Sequence, residues 1–385
     1  MFVEPKLNKA LTKRLAELSF PDLRLFAPGP HELSPAVCEV LAGYRAQYTH
    51  RDSEFKTCYA ETESLLRQVF HIPDSYRPLI FGHTGSYNWE MVANNTPSSF
   101  RVLGLDIGSF SKRWGQTYTD LGREIEILTA DWGDGISPER LQKALAPGYD
   151  LVLLIHNETS TGVSLDVAAL CDVIRTANSN TMIGIDAVSI AGAVEVRIDQ
   201  LKPDYYLWSL QKDFSIPTIG SVMIVSDRAM QAAQRVQHRG YVLDMVEWVS
   251  RAEKLQTPMT VPDLMLQCLT ARLKEMEAEG DGRFERHEAV TRLQHEWAQE
   301  RGLSLLAKPG YESPTLSTIS VPENVTGPAL TAAAKLNLNA QIAPGYGSTA
   351  DGYIRIAAMG MTSVSDMKQL LEGLSLLLDN WQTVA

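Results

Sequence analysis

The chain has 385 residues, with 35 Lys+Arg against 46 Asp+Glu for a formal charge of −11, and 44% of its residues are hydrophobic. That acidic balance argues against a general nucleic-acid binder, which works by neutralising phosphates with Lys and Arg. No apolar stretch approaches the roughly 20 residues a membrane-spanning helix needs, so neither nucleic acid nor membrane is an expected partner.

The length suggests two or three domains, or one large α/β unit with an appendage. Residues 1–14 carry Glu4, Lys6, Lys9, Lys13 and Arg14 with no apolar core, which does not read as a secretory signal. Cys38, Cys58, Cys171 and Cys268 are scattered, without CxxC or ligand-spaced His. The expectation is no disulfide framework, no metal and a cytoplasmic location.

In chain order, short runs rich in Val, Ile and Leu at 79–81, 101–105, 150–155, 182–185, 205–209 and 220–225 alternate with helical patterns at 87–95, 109–122, 137–146 and 165–178. Continuous hydrophobicity in short runs marks strands buried on both faces, and helix-separated strands imply a mostly parallel sheet. Ser137 before Pro138 reads as a helix N-cap followed by Pro at the first helical position. Beyond 225 the pattern changes to long amphipathic helices at 262–278 and 283–302, strand-like runs at 315–321 and 353–358, and a helix over 363–381 with apolar residues at helical spacing. The expected fold class is α/β: a three-layer αβα domain over 20–259 and a smaller C-terminal α+β domain over 260–385, with segment 1–19 packing on the latter.

Ligands of open α/β sheets bind beyond the carboxyl ends of the strands. Four places there carry chemistry. Thr84-Gly85-Ser86 opens a helix and reads either as a phosphate cradle or as an ordinary cap. His156 to Gly162 is a polar turn after a buried strand. Asp186 ends an apolar strand, where a carboxylate needs a partner. Lys212 follows another, where burial can make a lysine nucleophilic. Each of these last two could be half of a structural salt bridge. Together with the cradle they supply what pyridoxal phosphate needs: a lysine for the Schiff base, an acid for the pyridine nitrogen and an anion site.

At this point the sequence resembles the class V aminotransferases, of pyridoxal-phosphate fold type I, similar to the alanine-glyoxylate/serine-pyruvate and phosphoserine aminotransferases. The matching pieces occur in the family's order. They are Ala27-Pro28-Gly29-Pro30 with Leu33-Ser34-Pro35, His50-Arg51-Asp52-Ser53-Glu54-Phe55, Thr84-Gly85-Ser86 with Glu90, and Phe110 before Arg113-Trp114-Gly115. Asn157-Glu158-Thr159-Ser160-Thr161-Gly162, Asp186-Ala187-Val188-Ser189, Ser209-Leu210-Gln211-Lys212 and Ile354-Arg355-Ile356 follow.

The resemblance implies a transferase in which Lys212 forms the Schiff base with pyridoxal 5′-phosphate and Asp186 pairs with its ring nitrogen. Phe110 then stacks on the ring, Thr159 lies near the phenolic oxygen, and Thr84, Gly85, Ser86, Ser209 and Gln211 contact the cofactor. Arg355 grips the substrate carboxylate, with Gly29, His50 and Arg51 as further substrate contacts. The resemblance also implies a homodimer with shared active sites, in which Thr257 is a phosphate ligand donated by the neighbouring subunit. As isolated residues, Phe110 could be core and His50-Arg51 a solvated pair.

The implied reaction moves an amino group between a small amino acid and a 2-oxo acid. Bulky Tyr87, Asn88 and Trp89 stand where the family has small residues, as does His83, and Asp213 is an acid directly after the lysine. These departures leave open a non-transaminating enzyme of the same cofactor, such as a β-elimination lyase or a specialised biosynthetic enzyme acting on an unusual amino acid. A cysteine desulfurase needs a mobile cysteine late in the chain, and none follows Cys268. A binding module that kept the fold is the reading from another class.

Overall fold

The structure, a computed structural model, describes residues 9–45 and 47–384. A seven-stranded sheet is formed by β1 (Tyr76–Phe81), β2 (Val102–Asp106), β3 (Glu126–Thr129), β4 (Leu151–Ile155), β5 (Met182–Asp186), β6 (Tyr205–Ser209) and β7 (Ser221–Ser226), in spatial order β1-β7-β6-β5-β4-β2-β3. Neighbours are parallel except β7, which runs antiparallel to both β6 and β1. Every residue of β4, β5, β6 and β7 is buried, which is why these strands read as unbroken apolar runs. Strand β3 was not legible: it is the edge strand, three of its four residues are exposed, and its sequence Glu-Ile-Leu-Thr carries no continuous apolar signature.

Because β1 is antiparallel to β7 and β7 to β6, β1 points the same way as the parallel strands. Their carboxyl ends therefore share one edge of the sheet, and the loops carrying Thr84, Asn157, Asp186 and Gln211 converge there. The Ser137-Pro138 start is present: Ser137 Oγ accepts the Arg140 N–H at 3.3 Å, capping helix Pro138–Ala144.

Two large hydrophobic cores, beside a small cluster of Leu316, Ala357 and Met359, organise the described residues. The first surrounds the seven-stranded sheet and includes Leu266, Leu269, Leu273 and Met276 of the helix Asp263–Glu279. The second joins Val290 and Trp297 of the helix Gly282–Glu300 with Ile354 and Ile356 of strand Tyr353–Ala357, and with Leu370 and Leu374 of the helix Val364–Asp379. Leu11 and Leu15 of the helix Lys9–Leu18 also lie in this second core, while residues 1–8 of the segment expected to pack there lie outside the described residues. The helix after position 260 thus packs with the sheet, and we propose that the smaller unit starts after Glu279. Among the described residues, no helix is long and apolar enough to cross a membrane.

Candidate active site

A cavity of about 180 Å³ at the carboxyl ends of the strands is lined by Thr84, Trp89, Phe110, Asp186, Gln211 and Lys212, with Ser86, Asn157, Thr159 and Ser209 beside them. A larger surface hollow, about 840 Å³, runs along Phe100, Tyr118 and Arg123 and holds none of the residues singled out from the sequence. Chemistry, not size, locates the site.

Lys212 donates from Nζ to the Pro28 carbonyl. The neighbouring Gly29 has φ +93°, and a Cβ there would stand 2.6 Å from Lys212 Cδ and 2.8 Å from Nζ. Glycine is required at this position both for the left-handed backbone and for the approach of the lysine. Burial pulls the Lys212 ammonium down to about 8; Asp213 opposes this, Arg355 adds to it and Asp186 opposes it.

Asp186, the last residue of β5, is 3% exposed. Its Oδ1 accepts the Val188 N–H at 2.8 Å, and its Oδ2 accepts the Trp89 indole N–H at 2.7 Å. Burial nevertheless pushes the carboxyl up to about 7, against these two bonds. The two bonded donors are neutral, no cation among the described residues is in ion-pair contact with this carboxylate, and Lys212 favours its charge less than either donor does.

The helix Ser86–Asn94 starts at the cavity, and neither Thr84 nor Ser86 caps it with a side-chain hydrogen bond. The capping alternative to the cradle is therefore absent. The Gly85 N–H donates to Ser209 Oγ at 2.7 Å, and a Cβ on Gly85 would meet that oxygen at 2.5 Å and Val188 at 2.8 Å. The Tyr87 and Asn88 amides bond back to the Thr84 and Gly85 carbonyls, so the groups that could hold an anion here are the Ser86 N–H and the Thr84, Ser86 and Ser209 hydroxyls.

Phe110 is set by Glu158, a buried carboxylate whose Oε2 accepts the N–H groups of Phe110 at 3.0 Å and Ser111 at 2.9 Å, at the start of the helix Ser109–Asp120. Burial raises the Glu158 carboxyl, while hydrogen bonds from Ser111 and Ser160 favour its charge. Arg355, 9% exposed, donates from Nε to the Pro344 carbonyl at 2.9 Å and from Nη1 to the Thr159 carbonyl at 3.1 Å, under the ring of Tyr346 at 5.1 Å. Those bonds fix the guanidinium plane and bring the small-unit strand to the turn after β4.

The structure does not bring His50, Arg51 or Thr257 to this cavity within one chain. They form a separate group. Arg51 Nη1 bonds Gln256 Oε1 at 3.1 Å, His50 Nδ1 lies 3.3 Å from Thr260 Oγ1, and the buried Thr257 hydroxyl donates to the Met259 carbonyl at 2.6 Å. Sequence reasoning missed the roles of Trp89, Glu158 and Tyr346. Trp89 was visible only as bulk in an expected small position. Glu158 lies inside a quoted motif, where its burial could have been suspected from the apolar run before it.

The residues fit pyridoxal phosphate on three observations: an uncompensated buried acid at Asp186, an uncapped helix start closed off by Gly85, and buried Gln211 Oε1 and Asn157 Oδ1 without hydrogen-bond partners at the cavity. No group of three or more His, Cys, Asp or Glu side chains among the described residues could hold a metal ion.

A family profile described as "Aminotransferase class-V" matches residues 27–296. The serine–glyoxylate aminotransferase of Hyphomicrobium methylovorum is 29% identical over 346 residues, covering 88% of this chain and 85% of that protein. The L-aspartate–glyoxylate aminotransferase of Paracoccus denitrificans is 28% identical over 288 residues, 73% of each. Among solved structures, the alanine–glyoxylate aminotransferase from Nostoc sp. superposes with a TM-score of 0.85 at 25% identity, covering 93% of this chain and 96% of that one.

Proposed function

The chain belongs to the class-V aminotransferases and is a pyridoxal-phosphate-dependent transaminase; on that premise we propose that Lys212 carries the cofactor and moves the reacting proton, and that Arg355 holds the substrate carboxylate. The observation that carries this reading is the single cavity where Lys212, the uncompensated Asp186 and the uncapped Thr84-Gly85-Ser86 turn meet. Bound through Lys212, pyridoxal phosphate supplies an electron sink for the bond broken at the substrate α-carbon.

The chain's own residues do the rest. Asp186 would keep a proton on the ring nitrogen, which would compensate its charge. Thr84, Gly85, Ser86, Ser209 and Gln211 would hold the phosphate, Phe110 would pack on the ring, and the Thr159 hydroxyl would serve its phenolic oxygen. Arg355, already oriented by two carbonyls, turns its remaining N–H groups to the α-carboxylate. Lys212 Nζ, free once the cofactor is bonded to substrate, would accept the substrate's α-proton as base and deliver it as acid to the cofactor carbon that takes up the amino group. An amine whose proton affinity burial has brought near neutrality is suited to both halves.

We further propose a small amino acid as donor and a 2-oxo acid of about the size of glyoxylate as acceptor. The names of the relatives and the modest cavity support this. A homodimer, in which the His50, Arg51 and Thr257 group of one subunit completes the cavity of the other, accounts for their distance from Lys212. The elimination alternative has no observation in its favour. The test is single-turnover spectroscopy with a panel of amino acids followed by oxo acids. Stoichiometric conversion to the amine form and recovery on adding oxo acid supports transamination; release of ammonia without amine-form build-up contradicts it.

A further inference from the structure

Tyr346 is not among the residues that line the cavity, yet it contacts Phe110, which does, and Arg355. It sits in the turn Gly345-Tyr346-Gly347 ahead of strand Tyr353–Ala357, and that turn is pinned. The Tyr346 N–H donates to Thr349 Oγ1 at 3.0 Å, and the Thr349 N–H and hydroxyl donate back to the Tyr346 carbonyl at 3.0 and 2.9 Å. A Cβ on Gly345 would stand 2.1 Å from the Thr349 carbonyl oxygen, and Gly347 has φ +54°, so the turn needs glycine on both sides of the tyrosine. The half-buried ring has its centroid 5.1 Å from Arg355 Cζ and 5.9 Å from the Phe110 ring centroid. Arg113, on the helix Ser109–Asp120, completes the group. Its guanidinium carbon lies 5.2 Å from the centre of the Phe110 ring and 5.7 Å from that of Tyr346, and its Nη2 donates to the Tyr346 hydroxyl.

We infer that Tyr346 is a specificity-determining residue: its ring walls the substrate space between Arg355 and Phe110 and limits the amino donor to a short side chain, with Arg113 holding the wall in place. The inference rests on the reading of Arg355 as the carboxylate site and of Phe110 as the ring contact, and names what limits the substrate there. Two Arg355 donors are fixed on the Pro344 and Thr159 carbonyls, so the carboxylate falls to the others. A substrate reaching from those donors to the cofactor ring packed on Phe110 passes alongside Tyr346. The tyrosine does not compete for that carboxylate site. Its π face attracts the Arg355 cation but gives no acceptor to the in-plane N–H groups that a carboxylate takes, and its hydroxyl is engaged by Arg113. Arg113 is exposed, and a solvated charge alone fixes little. Here it lies against two aromatic rings and bonds the hydroxyl, contacts that tie the turn before strand Tyr353–Ala357 to the helix that carries Phe110.

The test is binding of propionate and 3-phenylpropionate to the loaded enzyme, followed by ligand-observed NMR. These acids keep the carboxylate and side chain of alanine and phenylalanine and lack the amino group, so no reaction follows. Wild type is expected to favour propionate, and Tyr346→Ala to move the ratio of the two dissociation constants at least about tenfold toward the larger acid. Tyr346→Phe keeps the ring and loses the Arg113 bond. It and Arg113→Gln should each move the ratio less than Tyr346→Ala does, and the double variant no further than either alone. The same order is expected in kcat/KM for alanine against phenylalanine. An unmoved ratio in folded Tyr346→Ala protein overturns the inference, and additive shifts in the double variant remove Arg113 from it. Wild type that binds 3-phenylpropionate as tightly as propionate overturns it even where no variant folds. Arg355→Ala separates the two readings: propionate affinity that survives it removes Arg355 as the carboxylate site and the inference with it, whereas its loss beside an unmoved Tyr346→Ala ratio removes the inference alone.

Discussion

The indole N–H of Trp89 donates to Asp186 Oδ2 at 2.7 Å, tying the first helix after the phosphate turn to the acid at the end of β5. A side chain in a position expected to be small thus orients the carboxylate proposed to pair with the cofactor's ring nitrogen. Trp89 also stacks near Trp114, with ring centroids 6.5 Å apart, so its plane is fixed from the other side. Trp89→Phe keeps most of the packing and removes the donor. Losing a hydrogen bond to a charged group costs about 1.5–3 kcal/mol, and cofactor affinity by absorbance titration is expected to fall roughly ten- to hundredfold. Unchanged affinity would separate Trp89 from the cofactor site.

Asp186→Asn should separate stability from function. The Asp186 carboxyl is raised to about 7 in the folded chain from 3.8, so between these values the folded state binds more protons than the unfolded one. Stability of the cofactor-free protein is therefore lost as pH rises from about 4 to about 7, by at most roughly 4 kcal/mol. Differential scanning fluorimetry of cofactor-free protein is expected to give Asp186→Asn a higher melting temperature than wild type at pH 8, and little difference near pH 4. With cofactor present the order reverses, because the variant no longer holds the ring nitrogen's proton.

Arg355→Lys keeps a charge and loses the planar fork. With the Pro344 and Thr159 carbonyls no longer fixing a guanidinium, kcat/KM for the amino donor should drop about a hundredfold, in line with roughly 3 kcal/mol for a lost bidentate pair. The visible absorbance of the cofactor should remain. Loss of that absorbance would move Arg355 into cofactor binding.

The shared-site proposal is tested by complementation. Lys212→Ala chains and His50→Ala/Arg51→Ala chains are each expected to be inactive as homodimers. Co-expressed, they should recover about a quarter of wild-type activity, since half the dimers are mixed and each mixed dimer has one intact site. No recovery, or a wild-type monomer by light scattering, contradicts sharing.

Much of this arrangement was legible in the chain. Strands β4 to β7 announced themselves because burial on both faces leaves no polar alternation, and Asp186 and Lys212 stood out as charges after such runs. The edge strand Glu126–Thr129 did not, because exposure erases the same signal. The boundary proposed after Glu279 lies one helix beyond the one expected at 259/260. Asp263–Glu279 has the length and polarity of a peripheral helix, and only its contacts with the helices Pro35–Gly43 and Ser53–Phe70 assign it to the sheet's core. Trp89 with Asp186 and Tyr346 with Arg113 were not legible at all, since separations of 97 and 233 residues carry no local pattern.

The central claim is that Lys212 bonds the cofactor. Borohydride reduction of the loaded enzyme, digestion and mass spectrometry locate the trapped pyridoxyl group directly. The account predicts the added mass on the peptide containing Lys212 and on no other; a label on a different lysine, or none on any, contradicts it.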